Sequence, residues 1–198
     1  RRDDLRTLAS TPQAMQAAWR TYETALAKTP DDWQLHHHFG KLALGASGSI
    51  ANSPLIYLAS GTVLDVSALA GGLVLNRNSF QSIEGNGKVS GNVTATTNNS
   101  FIPGDAPTQP HIIGTLTFSN NVTMDGVSNV MDLAYSGSDF IQVNGDLNLS
   151  GLNRFAMYFL TLFNPGTYHM VHWNGNMTGA LRNLDVQFLA GTRLKVVL

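Results

Sequence analysis

The distribution of Asn and Gly divides the chain near Gly45. All 17 Asn and 18 of the 19 Gly lie in residues 45–198, whereas residues 1–44 contain only Gly40 and no Asn. Asn and Gly supply turn and left-handed conformations and are unfavourable inside helices. The sequence therefore predicts a helical N-terminal segment, residues 1–44, followed by a strand-rich body, residues 45–198. No physical reason in the sequence explains why these two parts are joined, so a fragment of a larger protein or a fusion stays open.

Composition excludes several classes of function. The formal net charge is −1 and only 13% of residues are charged, so no basic face for nucleic acid is expected. The chain has no Cys, which excludes disulfides, thiolate zinc sites and Cys nucleophiles. The longest apolar run, Phe155 to Phe163, is too short to cross a bilayer, so no transmembrane segment is predicted. The first residues do not resemble a signal peptide, so any export signal is expected elsewhere in the protein.

Two helices are predicted in residues 1–44. Thr11-Pro12 has the residue types that begin a helix, and the apolar residues that follow recur at three- and four-residue intervals. That helix is expected to end before Pro30, because proline disfavours helical backbone in the residue before it. Asp31-Asp32 can cap a second helix, whose packed side would contain Trp33, Leu35, Phe39 and Leu42.

Residues 12–44 also resemble a tetratricopeptide repeat. The resemblance rests on Ala18, Tyr22, Ala25 and Pro30, followed by Phe39-Gly40, which are the small, aromatic and turn residues of such a helix pair. These repeats bury their apolar faces by stacking, and at least three are usually needed. The resemblance therefore implies a cap or part of a longer array, since one pair cannot form a concave peptide-binding surface.

The run His36-His37-His38 in the second predicted helix is a candidate metal site. Consecutive helical residues point about 100° apart, so the three side chains cannot converge on one ion. Helical metal pairs need spacings of three or four residues. No metal site is predicted there.

The body contains short segments in which apolar and polar residues alternate, bounded by Gly, Asn, Asp or Ser. This pattern indicates strands separated by tight turns and is compatible with a β-sandwich or a β-solenoid. The predicted strands are Thr62–Val66, Thr115–Phe118, Val122–Met124, Phe140–Val143, Asp146–Leu149, Thr167–Trp173, Leu184–Phe188 and Leu194–Leu198.

Two glycine-rich runs favour the solenoid. Around the run Glu84–Val93, the apolar residues Ile83, Val89 and Val93 are separated by Gly and Asn, which is the pattern of short strands that follow one another around corners. The run Val143–Leu152 repeats the arrangement. Asn suits such corners because it tolerates left-handed backbone and can form ladders with residues above and below it.

The body, from about residue 48 to about residue 190, resembles the β-helical passenger repeats of bacterial autotransporters and the related autotransporter-associated strand repeats. The resemblance implies a right-handed parallel β-helix, secretion and a location outside the cell or at the bacterial cell surface. Residues Pro107, Gln109, Pro110 and His111 lengthen a link that is shorter in those repeats. The segments that carry the resemblance are 65–69, 71–75, 85–94, 100–104, 114–118, 138–145 and 162–168.

No set of reactive groups is predicted. His169 and His172 are three apart in a predicted strand and so face opposite sides, and His111 lies in a proline-rich loop without an evident partner. The body's acidic residues are dispersed and mostly adjoin Gly, Ser or Asn, which indicates turn formers rather than a catalytic pair. We therefore predict no catalytic, cofactor-binding or metal-binding residues, no cofactor and no enzymatic activity. The acidic residues are Asp65, Glu84, Asp105, Asp125, Asp132, Asp139, Asp146 and Asp185.

The sequence as a whole predicts a mainly β protein: a right-handed parallel β-helix, or β-solenoid, with a short N-terminal α-helical hairpin. Its predicted function is structural, as a stalk or passenger segment of a secreted or cell-surface bacterial protein, with adhesion to surface glycans or other cell-surface proteins as a possible role. Two alternatives stay open. One is a carbohydrate-binding or carbohydrate-active β-helix, for which Trp173, Tyr168 or Tyr158 would lie beside two carboxylates. The other is a partner-binding helical-repeat protein that uses residues 1–44.

Overall fold

A computed structural model describes residues 41–105, 111–135, 137–160 and 167–188. The chain divides into two compact units, Arg1–Lys41 and Leu42–Leu198. Residues 1–40 lie outside the described residues, and with them most of the predicted helix pair, the residues that resemble a tetratricopeptide repeat and the histidine run 36–38. The predicted strand Leu194–Leu198 also lies outside them.

The described residues form eighteen short strands and two single-turn 3-10 helices. The helices are η1 (Arg77–Ser79) and η2 (Leu181–Asn183). The strands are β1 (Lys41–Ala43), β2 (Leu55–Leu58), β3 (Val63–Asp65), β4 (Leu73–Val74), β5 (Ser82–Gly85), β6 (Lys88–Ser90), β7 (Val93–Thr96), β8 (Ser100–Pro103), β9 (Thr115–Phe118), β10 (Val122–Asp125), β11 (Ser128–Ala134), β12 (Gly137–Ser138), β13 (Phe140–Val143), β14 (Leu147–Ser150), β15 (Asn153–Phe159), β16 (Val171–Trp173), β17 (Met177–Gly179) and β18 (Leu184–Phe188).

These strands stack as a parallel β-solenoid of about four turns. Strands that are neighbours in the two largest sheets come from successive coils. One of these sheets has the order β1-β3-β6-β9-β13-β16 and the other β17-β14-β10-β7-β4. The remaining strands form the sheets β2-β5-β8 and β12-β11-β15-β18. Pairing between coils is parallel, and among the described residues the antiparallel pair is β11 with the two-residue strand β12. The prediction of a β-solenoid is confirmed, and a sandwich of facing antiparallel sheets is excluded for this part of the chain.

Columns of equivalent residues show that the coils differ in length. The parallel registers place one residue from each coil in a single column, at spacings of 25, 29, 25 and 30 residues. The longer coils contain the loops between β8 and β9 and between β15 and β16. The column is Leu64, Val89, Phe118, Val143 and Trp173.

The interior is a continuous apolar core. Alternate residues of each strand point inward, so β7 and β10 each bury two side chains and leave the intervening ones more exposed. Phe101 and Phe118 lie at the centre of the core with their ring centroids 4.9 Å apart, and both are fully buried. Full burial of a side chain of this kind contributes roughly 1.5–3 kcal/mol to stability.

Side chains also join successive coils at the corners. Asn92 Oδ1 accepts a hydrogen bond from the backbone N–H of Asn121, Asn121 Oδ1 accepts from Asp146, and Asp146 Oδ1 accepts from Asn176. Each of these side chains thus satisfies a backbone donor one coil further along the chain. This is the corner ladder that the Asn content predicts, although one of its members is Asp rather than Asn.

For three strands, the first and last residues in the structure are the ones predicted. These strands are Thr115–Phe118, Phe140–Val143 and Leu184–Phe188. Two predictions need correction. Residues 167–170 are not in a strand, and only Val171–Trp173 of the predicted segment Thr167–Trp173 is. Leu42, predicted on the packed side of a helix, lies in strand β1, so strand structure begins before residue 45.

Candidate functional site

Polar side chains converge where the loop between β8 and β9 meets the wall of the solenoid. The loop leaves at Gly104 and returns at Gly114, which lie against each other: a Cβ added to Gly114 would come 2.5 Å from Gly104 Cα. Near the start of the loop, Asp105 Oδ1 accepts hydrogen bonds from the backbone N–H groups of His111 and Ile112. These bonds hold the two ends of the loop together and fix the position of His111.

Asp132 supplies the wall side of the cluster. It lies in β11, where the neighbouring residues Met131 and Leu133 belong to the apolar core, so strand alternation directs its side chain outward. It is nevertheless only 1% exposed. Asp132 Oδ1 lies 3.1 Å from His111 Nδ1, whereas its buried Oδ2 has no hydrogen-bond partner among the described residues.

Asp139 connects the end of the loop to strand β11 through hydrogen bonds of its carboxylate. Its side chain is 1% exposed and accepts hydrogen bonds from the backbone N–H groups of Gly114 at 2.8 Å and Asp132 at 2.9 Å. Its own backbone N–H donates to the carbonyl of Asp132 at 2.8 Å. Asp139 therefore links the end of the loop to β11 and positions Asp132.

Burial raises the pKa of three acids in this region. The pKa of Asp139 is raised to about 8, chiefly by burial; its two backbone hydrogen bonds oppose the rise, and the charges of Asp132 and Asp105 add to it. Burial also raises the pKa of Asp132, against hydrogen bonding by His111, and that of Glu84, against hydrogen bonding by Ser82. Several carboxyl groups thus lie in a poorly solvated place, where their protonated forms or a compensating cation are favoured.

An aromatic side chain borders the cluster. The rings of His111 and Tyr158 are 4.9 Å apart with an interplanar angle of 41°. Tyr158 lies in β15 directly opposite Asp132 of β11 in the parallel register, and it is 37% exposed. A partly exposed aromatic side chain therefore lies beside an acid–histidine pair.

Three of these residues have the donor types of a metal site. Asp105, His111 and Asp132 each present one possible ligand atom, and these atoms lie within 4.8 Å of one another. Among the residues that the structure describes, no other group of three His or acidic side chains meets this description. In chemical terms, the arrangement can bind a divalent cation.

The structure corrects the expectation that His111 has no partner, since it contacts both Asp132 and Tyr158. It also unites three acids, Asp105, Asp132 and Asp139, that are dispersed along the sequence. Other acids do act at turns, as predicted: Asp65 Oδ1 accepts from the backbone N–H and hydroxyl of Ser67. His169 and His172 are exposed and lie outside this cluster.

Sequence reasoning had one signal that could have located the cluster. The long link of Pro107, Gln109, Pro110 and His111 departs from the short link of the repeats that the chain resembles. Loops positioned by a rigid scaffold often carry function. The partner of His111 lies 21 residues further along the chain, however, and only the winding of the coils brings it close.

Comparison with known proteins does not place the chain in a family: no family model, curated protein or solved structure matches it. Among the described residues, none of the helices has the length and apolar character that a membrane crossing requires.

Proposed function

We propose that this chain is a structural segment, a stalk or passenger, of a secreted or cell-surface bacterial protein. The observation that carries the proposal is the parallel pairing of strands from successive coils around one apolar core. In such a stack each coil satisfies the backbone hydrogen bonds of the next, so stability accumulates along the axis by nearest-neighbour contacts. A right-handed winding and an autotransporter-like origin belong to this proposal.

The contacts between coils support a load-bearing role. Strand β10 pairs with β7 on one side and with β14 on the other, and each pairing extends over four residues. The Asn92–Asn121–Asp146 ladder adds side-chain hydrogen bonds that run in the same direction. Pulling along the axis would therefore have to break many bonds of each coil together.

The outward faces of the strands suit an exported surface. Thr123 in β10 and Asn148 in β14 are outward-facing, neutral polar residues paired across neighbouring coils. Neutral polar faces without a dominant charge are compatible with surface glycans or other cell-surface proteins as partners.

Mechanical unfolding of single molecules tests the structural role. Because the chain contains no Cys, Asn52→Cys and Arg182→Cys provide unique attachment points at exposed positions. We expect stepwise extension, with steps that correspond to one coil of 25–30 residues and therefore roughly 80–110 Å each. Release of the whole body in one step at low force would contradict a load-bearing stack.

Location is tested separately on cells that produce the protein. Antibodies against the body should label intact cells or their medium, and external protease should abolish the labelling of intact cells. Detection only after the cells are lysed would contradict a secreted or surface location.

A second candidate is glycan binding, which the position of Tyr158 favours. Its partly exposed ring lies beside Asp132 and His111, with Asp105 on the loop, and sugars commonly bind an aromatic face beside polar groups. A glycan array with the full chain would test this, with Tyr158→Ala compared against Tyr135→Ala, which changes a Tyr that is 67% exposed. Equal binding by both variants, or none by the unmodified chain, would rule out this site.

A further inference from the structure

We propose that Asp105, His111 and Asp132 bind one divalent transition-metal ion, of which Zn²⁺ is the natural example. The ion would connect the β8–β9 loop, through Asp105 and His111, to strand β11, through Asp132. This inference goes beyond the structural role and does not depend on it.

The three side chains lie close enough together to converge on one ion. Bonds of about 2.0–2.1 Å to nitrogen and oxygen place neighbouring ligand atoms roughly 3.3–3.4 Å apart. His111 Nδ1 and Asp132 Oδ1 are 3.1 Å apart, and all three ligand atoms lie within 4.8 Å of one another. His111 and Asp132 are thus already near the spacing of two ligands of one ion, and Asp105 lies within reach of the same position.

A second, independent observation points to a missing ligand. Asp132 is 1% exposed, and its Oδ2 is buried without a hydrogen-bond partner in the described part of the chain. The other oxygen of this carboxylate contacts His111, so the unpartnered atom belongs to the same cluster. An unsatisfied buried carboxylate oxygen is costly, and an ion that coordinates Oδ2, alone or together with Oδ1, would remove that cost.

The surrounding charges favour a cation. Within the described residues, no Lys or Arg forms an ion pair with Asp105, Asp132 or Asp139, and Glu84 is near enough to Asp105 for their charges to interact. Bound metal would compensate carboxylates that the solenoid wall keeps away from water. The same acids explain why the site is poorly suited to an anion.

The donor atoms select the class of metal. An imidazole nitrogen with two carboxylates suits Zn²⁺ and similar transition metals, whereas Ca²⁺ and Mg²⁺ prefer sites built from oxygen alone. The His111 side chain is 42% exposed, so water can reach the remaining coordination position. Three protein ligands with one open position is also the arrangement of zinc sites that activate water.

Metal binding by the full chain is the direct test. Isothermal titration with Zn²⁺ should show one site on the body, and thermal unfolding should shift to higher temperature when the ion is added. Co²⁺ in place of Zn²⁺ should give the visible absorption of a tetrahedral site. All measurements are made on a background in which His36, His37 and His38 are replaced by Gln, so that this histidine run cannot bind the ion.

Matched variants assign the site. Asp132→Asn and His111→Gln should each weaken Zn²⁺ binding at least tenfold and reduce the thermal shift, because each removes a ligand. The controls Asp125→Asn and His172→Gln change exposed residues of the same types outside the cluster and should bind as the background does. If Asp132→Asn fails to fold, Asp105→Asn takes its place, since Asp105 lies on the loop rather than in the buried wall.

Two results would overturn the proposal. One is the absence of Zn²⁺ binding and of any thermal shift on the background chain. The other is binding that survives unchanged in both His111→Gln and Asp105→Asn. Neither result would bear on the structural function, which mechanical unfolding measures without metal.

Discussion

Asn121 Oδ1 accepts a hydrogen bond at 2.9 Å from the backbone N–H of Asp146, which lies 25 residues further along the chain in the next coil. The side chain of Asp146 in turn accepts at 2.7 Å from Asn176. At this corner, side chains therefore form hydrogen bonds between successive coils, as backbone groups do between the strands of the sheets. Corner residues thus contribute to the stacking as well as to the turns.

Replacing Asn121 tests the corner ladder. Asn121→Ala should lower the free energy of unfolding by about 0.5–1.5 kcal/mol, since it removes a single acceptor at an exposed position. Asn121→Asp should retain most of the stability, because Asp performs the same role at residue 146. The control Asn148→Ala, at an exposed position within β14, should change stability by less than about 0.5 kcal/mol, measured by urea unfolding. Equal effects of Asn121→Ala and Asn148→Ala would contradict the ladder.

The buried side chain of Asn153 is expected to contribute more to the stability of the folded protein than the buried side chain of Asn129. Asn153 makes three hydrogen bonds to backbone groups, with Val127 N–H and the carbonyls of Met124 and Ser150. Asn129 donates to one carbonyl, and its Oδ1 has no partner among the described residues. Asn153→Ala should therefore destabilise the protein by about 2–5 kcal/mol, and Asn129→Ala by clearly less. The opposite order in urea unfolding would show that these bonds do not determine corner stability.

The aromatic pair at the centre of the core gives a packing prediction. Phe101→Ala should lower the free energy of unfolding by about 3–5 kcal/mol, because it leaves a cavity beside Phe118 and removes a fully buried ring. Phe80→Ala, at a side chain that is 67% exposed, should cost less than about 0.5 kcal/mol. Chemical denaturation of both variants makes the comparison. A similar loss at both positions would argue against a tightly packed interior.

Gly71 and Gly104 have the same backbone conformation but different surroundings. Replacing each by Ala therefore distinguishes the cost of left-handed backbone from the cost of steric collision. Gly71 has φ of 84° and open space around a Cβ, whereas Gly104 has φ of 83° and its Cβ would collide with the carbonyl of Ile112. Gly71→Ala should cost about 1–2 kcal/mol from left-handed backbone alone. Gly104→Ala should cost distinctly more and should also loosen the loop, which faster amide exchange of His111 and Ile112 would report. Equal costs would mean that the loop yields to the added methyl group.

Glu84 provides a pH-dependent prediction. Burial raises its pKa in the folded state above its ordinary value, so the folded protein holds this proton more tightly than the unfolded chain does. The resulting loss of stability is absent below the ordinary pKa and is complete once the pH exceeds the raised one. Glu84→Gln should therefore gain stability relative to the unmodified chain on going from pH 4 to pH 7, measured in metal-free buffer. The prediction would be contradicted if the difference in the free energy of unfolding between the two proteins were the same at pH 4 and pH 7.

Much of the architecture was predictable because its causes are local. Alternating apolar residues in Thr115–Phe118 and Phe140–Val143 define strands, and the glycine-rich run Glu84–Val93 defines corners. These features depend on side-chain burial and backbone conformation over four to ten residues. Thr167–Trp173 was predicted less well, because its alternation extends beyond the three residues that pair with β13.

Local sequence patterns are sufficient to specify a body of short strands and Asn- and Gly-rich corners around an apolar interior. Which polar residues meet depends instead on the three-dimensional winding of the chain. Coil spacings of 25, 29, 25 and 30 residues prevent a fixed period from aligning positions along the chain. His111 and Asp132 are therefore brought together by the winding of the backbone and the loop inserted at Gly104, neither of which local patterns encode.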